Sequence, residues 1–307
     1  MDFYMITFQK PTLRDRPSLA PYFSYSAARS NDNTVGGTIL WREYFRMEYA
    51  VWRETLLFRM RYYDGEPGFL VPVGRDAEGA LDQIEAWCRA NRQPMRFVLV
   101  TAPDVERLSR RWGTAVSQAF DFSDYLYDAE ELRTLRGHRF NGQRNHVNYF
   151  KRAFPDWRYE PLTDANRGEV FDFYSSSRLI DAKDTPFYRA EQSVAFDALE
   201  RTEEYGFFGG AIRAGGRIVS FAIGEELGDT LFVHVEKGDA AVRGAYPMIV
   251  SEFPRHASLS IRYVNREDDA GDPGLRTSKQ SYHPCAMLEK YTVLCTPSSP
   301  RQEMDQK

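Results

Sequence analysis

The segment Asn265-Arg-Glu-Asp-Asp-Ala-Gly-Asp-Pro-Gly-Leu-Arg-Thr-Ser-Lys279 gathers side chains that can do chemistry. Glu267 and Asp269 stand two apart, Arg276 and Lys279 three apart, and Asn265 precedes them. A carboxylate can take a proton, and a cation can hold an anion or an oxyanion developing on a carbonyl. One loop therefore carries the groups for acid–base chemistry with charge stabilisation. The competing reading is a solvated polar turn in which Gly271 and Gly274 supply positive φ.

The flanking residues say what positions this loop. Leu259, Ile261 and Tyr263 alternate like a strand running into it, and a short helix around Leu275–Tyr282 places Arg276 and Lys279 on one face. Upstream, Tyr205–Arg213, Arg217–Glu225 and Thr230–Glu236 alternate in hydropathy and are separated by Ala214-Gly-Gly216 and Gly228-Asp229. Gly-Gly and Gly-Asp between alternating runs mark hairpins, so a three-strand antiparallel meander is expected. Helical spacing at 164–180 and 190–202 precedes it. A helix from Pro247 to His256 follows it, and a strand at Leu288–Cys295 comes last.

The first half repeats this order: a polar helix at 12–28, strands near 43–50, 54–63 and 68–73 with the turn Asp64-Gly-Glu-Pro67, a helix at 77–91, a strand at Met95–Thr101, a helix at Pro103–Trp112 and a strand at Tyr125–Tyr127. Two copies of one mixed α/β unit account for the repetition. The expected division is 1–130, a connecting segment at 131–158, a second unit at 159–297 and a disordered tail at 298–307.

The connecting segment holds seven Arg and Lys against two acids, an excess of +5 on a chain whose net charge is −4. Arg136, Arg139, Arg144 and Lys151 are its candidate contacts to a polyanion. An ordinary solvated helix face is the alternative, and Gly137, Asn141, Gly142, Asn145 and Asn148, which are poor helix formers, weigh against it. The overall negative charge argues against non-specific attraction of the whole protein to nucleic acid or acidic membrane.

Three cysteines without C-x-x-C spacing and five scattered histidines give no disulfide framework and no metal-ligand pattern, so neither a metal nor a cofactor is expected. No apolar run approaches the roughly 18–20 residues that span a bilayer, and no signal peptide opens the chain, so a cytoplasmic protein is expected. Ser175-Ser-Ser177 lacks a Gly-x-Ser-x-Gly context and is set aside as a nucleophile.

Three stretches resemble the C-terminal synthase domain of phosphatidylglycerol lysyltransferases. They are Tyr125-Leu-Tyr127 through Leu132-x-x-Leu135-x-Gly137 with Arg144-Asn-His-Val-Asn148-x-Phe150; Glu236-Lys237 with Gly244-Ala-Tyr246; and Asn265-x-Glu267-x-Asp269-x-Gly271 through Gly274-Leu275-Arg276-x-x-Lys279 to Tyr282-x-Pro284. The resemblance covers 125–291, while the first 120 residues share only the order of elements. It implies tandem GNAT-like acyltransferase units, and transfer of an aminoacyl group from aminoacyl-tRNA to a hydroxyl or amine acceptor, a small molecule or a lipid headgroup.

On that basis Glu267 and Asp269 become proton acceptor and holder of the α-amine, Lys279 and Arg276 hold a phosphate or the oxyanion, and Asn265 orients a partner. The turn Arg243-Gly244-Ala-Tyr246 stands where GNAT enzymes bind pyrophosphate on backbone N–H groups. It lacks the full Arg/Gln-x-x-Gly-x-Gly/Ala motif, which weakens coenzyme A as the donor and leaves room for an RNA 3′ end. Coenzyme A-dependent N-acetyl transfer, and a non-catalytic RNA- or partner-binding protein, are the other readings of the fold.

Overall fold

Pairing between strands far apart in sequence divides the chain into two compact units. The computed structural model describes residues 6–61, 65–176 and 185–296. Asp64 of the expected turn, Ser177 with the end of its expected helix, and the 298–307 tail lie outside these residues.

The first unit comprises 42–123 with the flanking stretches 6–28 and 289–296. It opens with α1 (Arg16–Phe23), shorter than the expected 12–28 helix, with Pro17 in its first turn and Pro21, which removes one helical N–H donor, inside it. Its sheet contains β1 (Glu48–Trp52), β2 (Thr55–Arg61), β3 (Pro67–Phe69), β4 (Val73–Gly74), β5 (Met95–Thr101) and β6 (Gly113–Gln118). The chain's last strand, Lys290–Thr296, pairs antiparallel with both β5 and β6. Helix α2 (Ala77–Asn91) is capped by Asp76, whose carboxylate accepts the Gly79 N–H at 2.9 Å, and buries Ala80, Leu81, Ile84 and Cys88. With α3 (Ala102–Arg111) it covers a core of Leu57, Phe69, Phe97, Leu108 and Val293. Residues 42–47 form a turn, with Arg46 at φ 48, where a strand was expected. A cavity of about 670 Å³ opens beside it, and Lys10, Arg42, Arg46, Arg59 and Arg61 outnumber Glu43 and Glu48 on its wall.

The second unit comprises 124–288 together with 29–41. Its sheet holds β7 (Asp124–Asp128), β8 (Arg158–Pro161), β9 (Phe208–Ala214), β10 (Arg217–Leu227), β11 (Thr230–Gly238), β12 (Tyr263–Asn265) and β13 (Ala286–Leu288), in the order β13-β7-β12-β11-β10-β9-β8. Its helices are α4 (Ala129–Thr134), α5 (Asn141–Ala153), α6 (Asp164–Ser176), α7 (Pro186–Glu200), α8 (Ala245–Glu252) and α9 (Pro273–Gln280). Tyr125, Tyr127, Phe150, Leu231, Met248, Phe253, Val264 and Tyr282 form its core.

The expected meander is β9–β11. The division differs from the linear one expected. The strand read as one element at 288–295 is two, β13 and β14 (Lys290–Thr296), and β14 belongs to the first unit. Hydropathy gives a strand's period but not the identity of its neighbour. The β6 strand escaped the sequence reading because five of its six residues are small or polar and it lies mostly exposed at the sheet edge.

Candidate functional site

The loop that follows β12 is placed by an interrupted pairing. β12 is parallel to β11 over only three residues, Thr230–Phe232 against Tyr263–Asn265. β11 then continues without β12 beside it, and its side chains meet the loop instead. A bulge falls here: Ile223 pairs with Val235 and Gly224 with Val233, leaving His234 as the extra residue. Bulges re-aim side chains next to functional sites. Gly224 permits this one, because a Cβ there would lie 2.2 Å from the Phe232 carbonyl oxygen.

His234 is wholly buried between two carboxylates. Its Nδ1 lies 2.8 Å from Oε1 of Glu267 and its Nε2 2.9 Å from Oε1 of Glu225. Oε1 of Glu225 also accepts the Gly36 N–H at 2.8 Å. Gly36 opens a π-helical turn, Gly36–Leu40, and a Cβ on it would stand 2.1 Å from the imidazole. Burial opposes charge on the ring, but the Glu225 and Glu267 carboxylates outweigh it and raise the His234 pKa from 6.5 to about 9. With the folded value above the unfolded one, this charge stabilises fully below pH 6.5 and is lost as pH rises through 9.

Glu267 sits at φ 57, held in that left-handed conformation by its N–H donating to Oδ1 of Asn265 at 2.7 Å. The Asn265 amide nitrogen donates to the Arg29 carbonyl at 2.7 Å and to Oδ2 of Asp124 at 2.9 Å, so this fully buried side chain pins the loop's entrance. The Glu267 side chain keeps 18% exposure, and its Oε2 has no hydrogen-bond partner among the described residues.

The other predicted residues have other partners. Asp269 accepts from Nε and Nη2 of Arg276 at 2.9 and 2.8 Å, from the Tyr125 hydroxyl at 2.6 Å and from the Gly271 N–H at 3.0 Å. Burial alone would raise the Asp269 pKa; Arg276 and Tyr125 bring it below the ordinary value. The Tyr125 phenol, buried and facing that carboxylate, is pushed up to about 12. Lys279 points inward, its Nζ donating to the carbonyl oxygens of Arg266, at 2.6 Å, and Asp268. Burial lowers its pKa. Gly271 has φ 75, as the turn reading required, whereas Gly274 lies in the first turn of α9 and donates to Asp272.

The loop therefore holds three separate assemblies rather than one pocket shared by Asn265, Glu267, Asp269, Arg276 and Lys279. Replacing Lys279 with methionine leaves two buried carbonyls without their donor, at roughly 1–3 kcal/mol for each group. Thermal denaturation should show this as a lowered melting temperature, ahead of any change in ligand affinity.

Arg266, unremarked in the sequence, is 3% exposed. Its Nε donates to Oε2 of Glu236 at 3.2 Å and its Nη2 to the Tyr246 hydroxyl at 2.8 Å. Tyr246 in turn donates to Oε2 of Glu236 at 2.8 Å. The guanidinium lies 4.8, 5.3 and 5.8 Å from the ring centroids of Tyr282, Tyr127 and Tyr246. Tyr246 thus closes a buried ion pair. Gly244, at φ 92, lets α8 approach α5, since a Cβ would stand 2.6 Å from the His146 carbonyl oxygen. Arg243 stacks over Tyr149 of α5 at 4.5 Å.

In the basic segment, most cations have partners within the unit. Arg144 donates to the Leu135 and Gly137 carbonyls, Arg139 pairs with Glu131, and Lys151 reaches Glu252 at 3.4 Å. Arg136 and Arg152 are exposed and make no ion pair or side-chain hydrogen bond among the described residues. Among those residues no group of acids, histidines and cysteines could hold a metal ion, and no helix is long and apolar enough to cross a membrane.

Two mixed sheets, each with its helices, make a GNAT-like fold. The chain is similar to a conserved protein of unknown function from Bacteroides thetaiotaomicron, at TM-score 0.86 and 29% identity over 95% of this chain and 100% of that one. It shares its fold with the C-terminal DUF2156 domain of an Agrobacterium fabrum protein named as a lysylphosphatidylglycerol synthetase, at TM-score 0.62, 12% identity and 92% coverage of both chains. FemX gives TM-score 0.61 and 10% identity over 94% of this chain and 97% of its own. Residues 23–294 match the family model described as phosphatidylglycerol lysyltransferase, C-terminal, and the chain belongs to that family.

Proposed function

We propose that this protein transfers an aminoacyl group from aminoacyl-tRNA to a hydroxyl or amine acceptor, with Glu267 moving the proton. The observation that carries this reading is the Glu267 carboxylate: Oε1 is anchored on His234, while Oε2 is unpartnered among the described residues on a partly exposed loop. In the reaction the acceptor's proton passes to Oε2 as its oxygen or nitrogen bonds to the acyl carbon. The ester bond to the ribose then breaks, and Glu267 returns the proton to the departing ribose oxygen. Family membership supports an aminoacyl donor, and the family's name points to a lysyl group and a phosphatidylglycerol headgroup.

Purified protein incubated with lysyl-tRNA and phosphatidylglycerol should release uncharged tRNA and form an aminoacylated product. Turnover with acetyl-coenzyme A in place of the tRNA would assign the fold's other chemistry instead. Binding of tRNA should weaken with salt, since each neutralised phosphate releases counterions. Arg136→Glu with Arg152→Glu should flatten that dependence more than Arg144→Glu with Lys151→Glu, because the first pair has no competing partner within the unit. Slopes unchanged from wild type in both double variants would remove the basic segment from the donor site.

A further inference from the structure

A histidine buried between two glutamates invites the question of where the protons are. An ionised carboxylate only accepts, and each ring nitrogen of His234 faces one at hydrogen-bond distance. Two hydrogen bonds therefore need two protons, and with both glutamates ionised both protons reside on the ring. The resulting charge sequence is minus, plus, minus, running from the Glu225 end, closed by the Gly36 amide, to the Glu267 end, which meets solvent. The ring has little freedom to turn: Gly36 packs on its face, where a Cβ would stand 2.1 Å from Cε1, and Phe207 lies 4.9 Å away, centroid to centroid.

We infer that His234 is a positioning residue for Glu267, an imidazolium that fixes the direction of the carboxylate and keeps it ionised in the presence of Glu225. The inference rests on the reading of Glu267 as the proton acceptor. His234 touches no reacting atom in this scheme. It ties down Oε1, so that Oε2 alone faces outward, and it separates two carboxylates that would otherwise repel. Without the ring's charge, the two carboxylates would repel with nothing between them to offset it, which favours a proton shared by the pair. The charged groups facing the ring are Glu225 from β10 and Glu267 from the loop after β12, while the Lys279 ammonium adds positive potential at Glu267. The rise of the His234 pKa to about 9 agrees with this assignment.

Two measurements test it. Nitrogen-15 NMR of histidine-labelled wild-type protein should show His234 protonated on both nitrogens at pH 7.5 and titrating near pH 9. A singly protonated ring at that pH overturns the inference, whatever becomes of the reading of Glu267. The pH profile of kcat gives the second. His234→Gln should move its acid limb upward by about one pH unit or more, a tenfold or greater loss of rate on that limb. Adding Glu225→Gln removes the repelling carboxylate and should bring the limb back. A double variant that stays where the single one lies would reduce His234 to a packing residue. The NMR arm uses unmodified protein, so it decides even if the variants fold poorly, and the separate variant Glu267→Gln tests the parent reading.

Discussion

Replacing Glu267 with glutamine lowers turnover about 10²–10⁴-fold, the usual range for loss of a general base. The substitution is close to isosteric. An amide oxygen in the place of Oε1 still accepts from Nδ1 of His234, so the loop keeps its anchor and its left-handed residue keeps the bond to Asn265. The other terminal atom becomes an NH₂ group, which cannot take a proton. The melting temperature and donor affinity should therefore change little while kcat falls. Steady-state rates beside a thermal melt check this. A variant that turns over within twofold of wild type would show that proton transfer does not pass through this loop.

Glu236→Gln should destabilise the second unit by about 3–5 kcal/mol, the usual cost of breaking a buried pair from one side. Arg266 cannot escape by losing its proton, since a guanidinium stays charged in proteins. The side chains of the pair are only 2% and 10% exposed, so water does not replace the missing carboxylate. The three tyrosine faces around the guanidinium offset part of the loss. Urea denaturation should show the midpoint falling sharply. The double variant Glu236→Leu/Arg266→Met should recover much of it, because two apolar side chains leave no buried charge. Full stability in the single variant would mean that the rings alone carry the guanidinium.

Elements with a strong period were readable. The α2 helix occupies the expected residues 77–91, and β5 and the β9–β11 meander fall within a few residues of expectation. The loop 265–279 stood out by composition, but the roles inside it did not. Composition cannot distinguish Lys279, whose ammonium turns onto backbone carbonyls, from Glu267, whose carboxylate keeps one oxygen outward. His234 was one of five scattered histidines, and its partners are Glu225 and Glu267, the first held in turn by the Gly36 N–H. The only local hint was Gly224 inside an otherwise apolar strand, where glycine often marks a bulge or a close backbone approach.

Strand β14 carries a consequence for how the protein is made. It is the last described strand of the chain, yet its place in the first sheet is between β5 and β6. A ribosome finishes β6 at Gln118 and does not begin β14 until Lys290. At the usual 5–20 residues per second, that leaves a gap of about 10–30 s. Throughout it, the apolar strand Met95–Thr101 waits with an unpaired edge, the kind of edge that recruits foreign strands. The second unit's main sheet, by contrast, has all its strands by Leu288. The half of the protein synthesised first is thus the half completed last.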